Sequence, residues 1–376
     1  MTFAISVQDM RDQRKLFTLD EARAVLATTE PLGFVPVVPG SGVRFRVEPE
    51  WNDRINVMHG TEPLGVSVRL APSGNLDGPD VAEYSLSKDA LLSAIKPFGM
   101  SGSYAFKCPP TLLEENLNYW YREGMEKDLQ LMVVGHQEIG QAIVKESMVS
   151  FSNLSLFDRA VAKLTEQYEA DSLYVDVSKL AHSLRRTFLQ FVIPAESRRM
   201  VESGTQHDDW WWGGVQVQNS LTAESQTRVA GYLFRPICTN GMVDTGPSAG
   251  AWSRRAAGSD AEDVYSWAER AVEDALGGLE HTFDLVQATT AHGLEGEMGD
   301  VVGDVFDQFR LPARSRSRVI DGLVESDDLS MYAVLNAVTQ AANDADNPEE
   351  AQVLMSTGGD LAQHSERCDS CHRIMI

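Results

Sequence analysis

The sequence predicts an α+β protein, an antiparallel-sheet body with flanking helices followed by an acidic C-terminal helical region. Three observations carry this. Before Gly246, segments such as "SGVRFRVE" and "GVSVRL" alternate apolar and polar side chains, the period of half-buried strands. After Gly246, apolar residues recur at helical spacing instead. Charge divides in a similar way: residues 1–200 hold 21 Lys+Arg against 26 Asp+Glu, and residues 201–376 hold 11 against 29. The expected units are an N-terminal helical segment (1–30), the α+β body (31–250), the acidic helical region (251–362) and a tail carrying Cys-x-x-Cys-His (363–376).

Element by element, "FTLDEARAVLA" opens a helix with Thr18 and Glu21 at capping-box spacing. Val43, Phe45 and Val47 alternate with Arg44, Arg46 and Glu48, and Val66, Val68 and Leu70 repeat the pattern. "TLLEENLNYWYREGM" reads as a helix with Leu112, Leu113, Leu117 and Trp120 on its apolar side. "LQLMVV" is a short buried strand, and Leu156, Ala160 and Leu164 mark a helix. "SLYVDVS" and "RRTFLQFVIP" are strands, the second stopped by Pro194. Val215 and Val217 alternate with Gln216 and Gln218, and residues 229–234 return as the partner strand of a long hairpin. Beyond, Ser259/Asp260 cap a helix striped by Val264, Trp267, Ala268, Ala271, Val272 and Ala275 and stopped at Gly277–Gly278. A shorter helix ends at Pro312, "SMYAVLNAVTQAAND" forms another, and Pro348 opens a last helix expected to stop at Gly358–Gly359.

Composition narrows function. The net charge of −23 opposes broad electrostatic attraction of nucleic acid to the acidic half, while the near-neutral half can present a local basic face. No apolar run is long enough to span a bilayer, and the first residues lack the pattern of a secretory signal, so a cytoplasmic protein without a membrane partner is expected. There is no GxGxxG, Walker or HExxH motif, which argues against an enzyme without excluding one.

Four clusters remain as candidates. Arg44 and Arg46 share one strand face about 7 Å apart; with Arg235 and the ring faces of Trp210 and Trp211 they are candidate contacts for a single-stranded backbone. Such tryptophans are more often core or interface residues. His207, Asp208 and Asp209 chelate a metal together only in a loop, and a polar loop leading into an aromatic strand is favoured. His364, Cys368, Cys371 and His372 supply zinc-ligand chemistry in the tail, although a single Cys-x-x-Cys lacks the distant second ligand pair of a usual site. In "FRPICTNGMVDTG", Asn240–Gly241 suits a turn with positive φ, and Cys238 reads as a buried structural thiol rather than a nucleophile.

The segment "VQVQNSLTAESQTRVAGYLFRPICTNGMV" resembles the signature of the phage/plasmid-like family described as domain of unknown function 932. The matching positions are Asn219, Ser220, Arg235, Cys238, Thr239, Asn240 and Gly241, with Asn336, Thr339 and Gly359 similar to the family's closing part. The resemblance implies a gene of a mobile element acting in the cytoplasm of a bacterial host. Two functions follow from it. One is a non-enzymatic DNA-metabolism protein that binds or anneals single strands, with phage or host replication and recombination proteins as partners and a homo-oligomer as its form. The other is an acidic interaction protein that mimics DNA or occupies a host factor. Neither assigns a catalytic residue.

Overall fold

The computed structural model describes residues 10, 16–38, 40–51, 63–123, 129–134, 139–145, 152–176, 186–201, 208–221, 225–236, 240–244, 246, 252–254, 260–326, 329–345 and 348–367. In chain order the first elements are β1 (Leu16–Thr18), α1 (Leu19–Thr29), β2 (Pro31–Val37), β3 (Val43–Val47), β4 (Pro63–Leu70) and β5 (Ala82–Ser87). Then come α2 (Lys88–Ile95), α3 (Gly102–Ala105), α4 (Pro110–Glu123), β6 (Leu129–Val134), β7 (Ile139–Lys145), α5 (Asn153–Leu164) and β8 (Tyr174–Asp176). The long strands follow as β9 (Thr187–Val201), β10 (Asp208–Asn219) and β11 (Thr227–Arg235), with β12 (Asn240–Val243) and β13 (Trp252–Arg254) after them. The last third is helical: α6 (Ala261–Gly277), α7 (Leu279–Thr289), α8 (Met298–Phe309), α9 (Arg316–Ser326), α10 (Met331–Ala341) and α11 (Pro348–Arg367). The protein is α+β.

The strands make two sheets. A six-stranded sheet runs β2-β6-β7-β5-β4-β3, and a seven-stranded one runs β1-β8-β9-β10-β11-β12 with β13 also on β11. Pairing is antiparallel except between β5 and β7. The larger sheet is covered on both faces. Leu189, Phe191, Val215 and Val217 pack with Phe157 and Leu164 of α5 and Val272 of α6. Tyr232, Phe234 and Val243 pack with helices α8 to α11 through Val302, Val305, Val338 and Leu361. Double coverage explains why residues 211–217 of β10 are buried without interruption, Gln216 included. Gln216 accepts from Gln190 Nε2 at 2.6 Å, which pairs the two buried amides through one hydrogen bond.

The smaller sheet is covered on one face by α2 and α4. Phe45, Val66, Val68, Leu86 and Leu131 meet Leu91, Leu113, Leu117 and Tyr121 there. Its edge strand β3 is closed by side chains of α4. Asn118 accepts from Phe45 N–H at 2.7 Å and donates to Phe45 C=O at 3.0 Å, as a neighbouring peptide would, while Glu114 accepts from Val47 N–H at 2.9 Å. Asn118→Ala is therefore expected to destabilise the protein by about 2–3 kcal/mol, since it strands a donor and an acceptor. A urea-denaturation midpoint checks it.

Several sequence expectations are corrected. β9 does not stop at Pro194. Its register to β10 jumps from Ser197↔Trp212 to Ile193↔Gly213, so Pro194 lies in a bulge where no ladder hydrogen bond is needed. The apolar stripe of α4 is Leu113, Leu117 and Tyr121, with Leu112 exposed and Trp120 only half-buried, stacked on Phe98. Asn240–Gly241 is not the turn: Asn240 pairs with Arg235 and Gly241 with Phe234 in the β11–β12 ladder. Glycine is required at 241 because a Cβ would strike the Tyr232 ring. Gly358–Gly359 does not end α11, which runs on to Arg367. Asp208–Asp209 open β10 rather than forming a loop.

Candidate functional site

On the face of the smaller sheet turned away from α2 and α4, alternation sends Arg44 and Arg46 of β3 outward while Val43, Phe45 and Val47 are buried. In β4 the same rule turns Ser67 and Arg69 outward, against buried Leu64, Val66, Val68 and Leu70. The register places Arg44 directly opposite Arg69, and Arg69 opposite Glu83 of β5. Facing guanidinium groups repel, which makes an Arg–Arg cross-strand pair unfavourable unless an anion relieves it. The arginines line a cavity of about 430 Å³ with Phe45, Glu83 and Glu114.

The pairing pattern separates these arginines from several others. Arg23, Arg159, Arg198, Arg235 and Arg314 each hold a carboxylate within ion-pair distance. Arg44, Arg46 and Arg69 hold none among the described residues, and Arg69 donates instead to the Leu76 carbonyl at 3.4 Å. The two acids at the cavity are otherwise engaged: Glu83 accepts from Ser67 Oγ at 2.6 Å, and Glu114 from Val47 N–H. Guanidinium groups on such a face have the chemistry to meet an external anion.

The other predicted contacts lie elsewhere. Arg235 is on β11 of the larger sheet, where its Nε donates to both oxygens of Asp209, at 2.8 and 2.7 Å. Tyr332 of α10 donates to the same carboxylate and accepts from Trp211 Nε1 at 3.1 Å. Burial, and then the Asp209 charge, push the Tyr332 hydroxyl well above its ordinary range, so it stays a donor. Trp211 is fully buried and has no ring face for a base, and Trp210 is half-buried opposite Arg199. Arg235 and Trp211 are thus removed from a nucleic-acid surface by their buried partners.

Asn219 and Ser220 are also buried. Asn219 Nδ2 donates to Asn153 Oδ1 at 2.8 Å and its Oδ1 accepts from Thr227 Oγ1 at 3.2 Å, while Asn153 donates to Thr187 at 2.9 Å. This chain ties α5 to β9, β10 and β11, a structural role. Cys238 and Thr239, and Cys368, Cys371 and His372, lie outside the described residues. His364 sits half-buried near the end of α11, and no group of three or more His, Cys, Asp or Glu among the described residues is placed to hold a metal. No helix among the described residues is long and apolar enough to cross a membrane.

Sequence reading found Arg44 and Arg46 but missed Arg69, Glu83 and Glu114. The outward phase of Arg69 was legible in "GVSVRL"; its pairing with Arg44 was not, because register is a long-range property. Comparisons with family models, with curated proteins and with solved structures find no match to this chain.

Proposed function

We propose that this chain is a non-enzymatic, cytoplasmic DNA-metabolism protein of a mobile element that grips the phosphate backbone of nucleic acid through Arg44, Arg46 and Arg69. The observation that supports it is the open arginine face, whose three guanidinium groups lack carboxylate partners among the described residues. Guanidinium forks match phosphate oxygens bidentately, and contacts to phosphate carry no sequence information, so binding is sequence-independent. The resemblance to phage/plasmid-like proteins points to the same context.

The test is filter binding of a labelled DNA oligonucleotide across a salt series. Neutralising about three phosphates of a single strand gives log K a slope near −2 against log salt, from ~0.7 per contact. The variant Arg44→Ala/Arg46→Ala/Arg69→Ala is expected to lose most of that slope and at least about tenfold in affinity at low salt. Unchanged binding by the triple variant, or no binding by the wild type at low salt, overturns the reading.

A second reading, an acidic interaction protein, is favoured by one feature. Asp300, Asp304 and Asp307 share the exposed face of α8, a helix without a single Lys or Arg. Such a row is unfavourable alone and complements a basic protein partner. Co-purification of a basic host protein, lost in Asp300→Asn/Asp304→Asn/Asp307→Asn, supports it.

A further inference from the structure

The arginine strip is narrow, and its margins are acidic. Arg44 and Arg46 follow β3, and Arg69 stands one strand over, about 5 Å away. One strand further lies Glu83, held at the β4–β5 seam by the Ser67 hydroxyl. On the opposite side, beyond the outer edge of β3, Glu114 of α4 lines the same cavity. The sequence across the face is carboxylate, guanidinium, guanidinium, carboxylate.

We infer that Glu83 and Glu114 are specificity-determining residues that make this face select a single strand, lying along β3, over a duplex. The inference rests on the backbone-binding reading of the same arginines. Along β3, Arg44 with Arg69 forms one phosphate seat. Arg46, two residues and about 7 Å on, forms the next. That step suits the successive phosphates of an extended single strand. A lone backbone fits between the two carboxylates, with its bases free to turn outward.

A duplex seated by one backbone carries its second backbone to the side, across a minor groove about 6 Å wide. That brings additional phosphates over a carboxylate margin, whichever way the duplex is turned. Like charges there repel without any compensating guanidinium. Glu83 and Glu114 thus add little contact and supply rejection, which is how specificity between similar ligands is commonly built.

The substitutions Glu83→Gln and Glu114→Gln isolate the charge, because glutamine keeps the oxygen that accepts from Ser67 or from Val47 N–H. Dissociation constants are measured by filter binding for one oligonucleotide, single-stranded and annealed to its complement, at low salt. The wild type is expected to prefer the single strand. A unit charge about 7 Å from a phosphate in water is worth about threefold, so each substitution lowers the preference about threefold and the pair about tenfold. Thermal melting confirms that the variants fold, and Glu83→Gln alone, on an exposed position, serves if Glu114→Gln does not.

Equal affinity of the wild type for both forms overturns the inference and leaves the backbone-binding reading standing. A single-strand preference unmoved by either substitution overturns the role of the two carboxylates. Absence of binding to either form defeats the underlying reading itself.

Discussion

Arg235→Leu is expected to lower stability by about 3–5 kcal/mol, the cost of leaving a buried charge without its partner. Asp209 is 5% exposed, and the Arg235 guanidinium is its counter-charge. Without it, Asp209 keeps the Tyr332 hydroxyl but its charge is left without a counter-charge in a buried setting. The pair joins β10 to β11, and Tyr332 and Trp211 extend the network to α10, so the loss reaches the packing of the helical third on the sheet. Replacing both members, Asp209→Leu with Arg235→Leu, should restore much of the loss, because neither charge is then stranded. A urea-denaturation series over wild type, both single variants and the double variant measures the coupling. Near-additive losses would show that the pair is not the stabilising unit.

Gly359→Ala sets two effects of opposite sign against each other. Helix propensity alone predicts stabilisation of about 1 kcal/mol, since Gly359 lies inside α11. Against that, a Cβ at this position collides with the Val243 backbone carbonyl of β12, and one on Gly358 collides with the Thr339 side chain. Val243 is held in the β11–β12 ladder and cannot yield as a flexible side chain would. Overpacking against fixed backbone costs about 1–3 kcal/mol, with the clash to a fixed carbonyl at the upper end, so the net effect is destabilising by up to about 2 kcal/mol. Gly299→Ala in α8 is the control: a Cβ there meets nothing within 4 Å, and the substitution should stabilise by up to about 1 kcal/mol. Thermal melts of the two variants, moving in opposite directions, check both claims. A stabilised Gly359→Ala protein would mean that α11 and β12 are not in close approach.

These glycines show how far the sequence reaches. Thr18 and Glu21 form the capping box their spacing predicts, with Thr18 N–H donating to Glu21 at 2.7 Å and Glu21 N–H to Thr18 Oγ1 at 3.3 Å. Asp260 caps α6 by accepting from Glu262 N–H at 2.9 Å. β3 is buried and exposed in strict alternation, which is why the outward aim of Arg44 and Arg46 was legible. Each of these depends on neighbours within four residues, where backbone period and local hydrogen bonding act.

What only the tertiary structure decided depends on residues far apart in the chain. A glycine pair reads as a helix stop until a strand is seen to press against it, and Pro194 reads as a strand end until a bulge absorbs it. Whether Trp211 is a stacking platform or a core residue is open until Tyr332, 121 residues away, is seen to join it to the Asp209 network. The site obeys the same division. Local alternation turned two arginines outward; strand register added Arg69 opposite Arg44, and the docking of α4 on the edge of β3 brought in Glu114. Register and docking are settled by which apolar faces bury each other across the whole chain, and no short window of sequence contains that information.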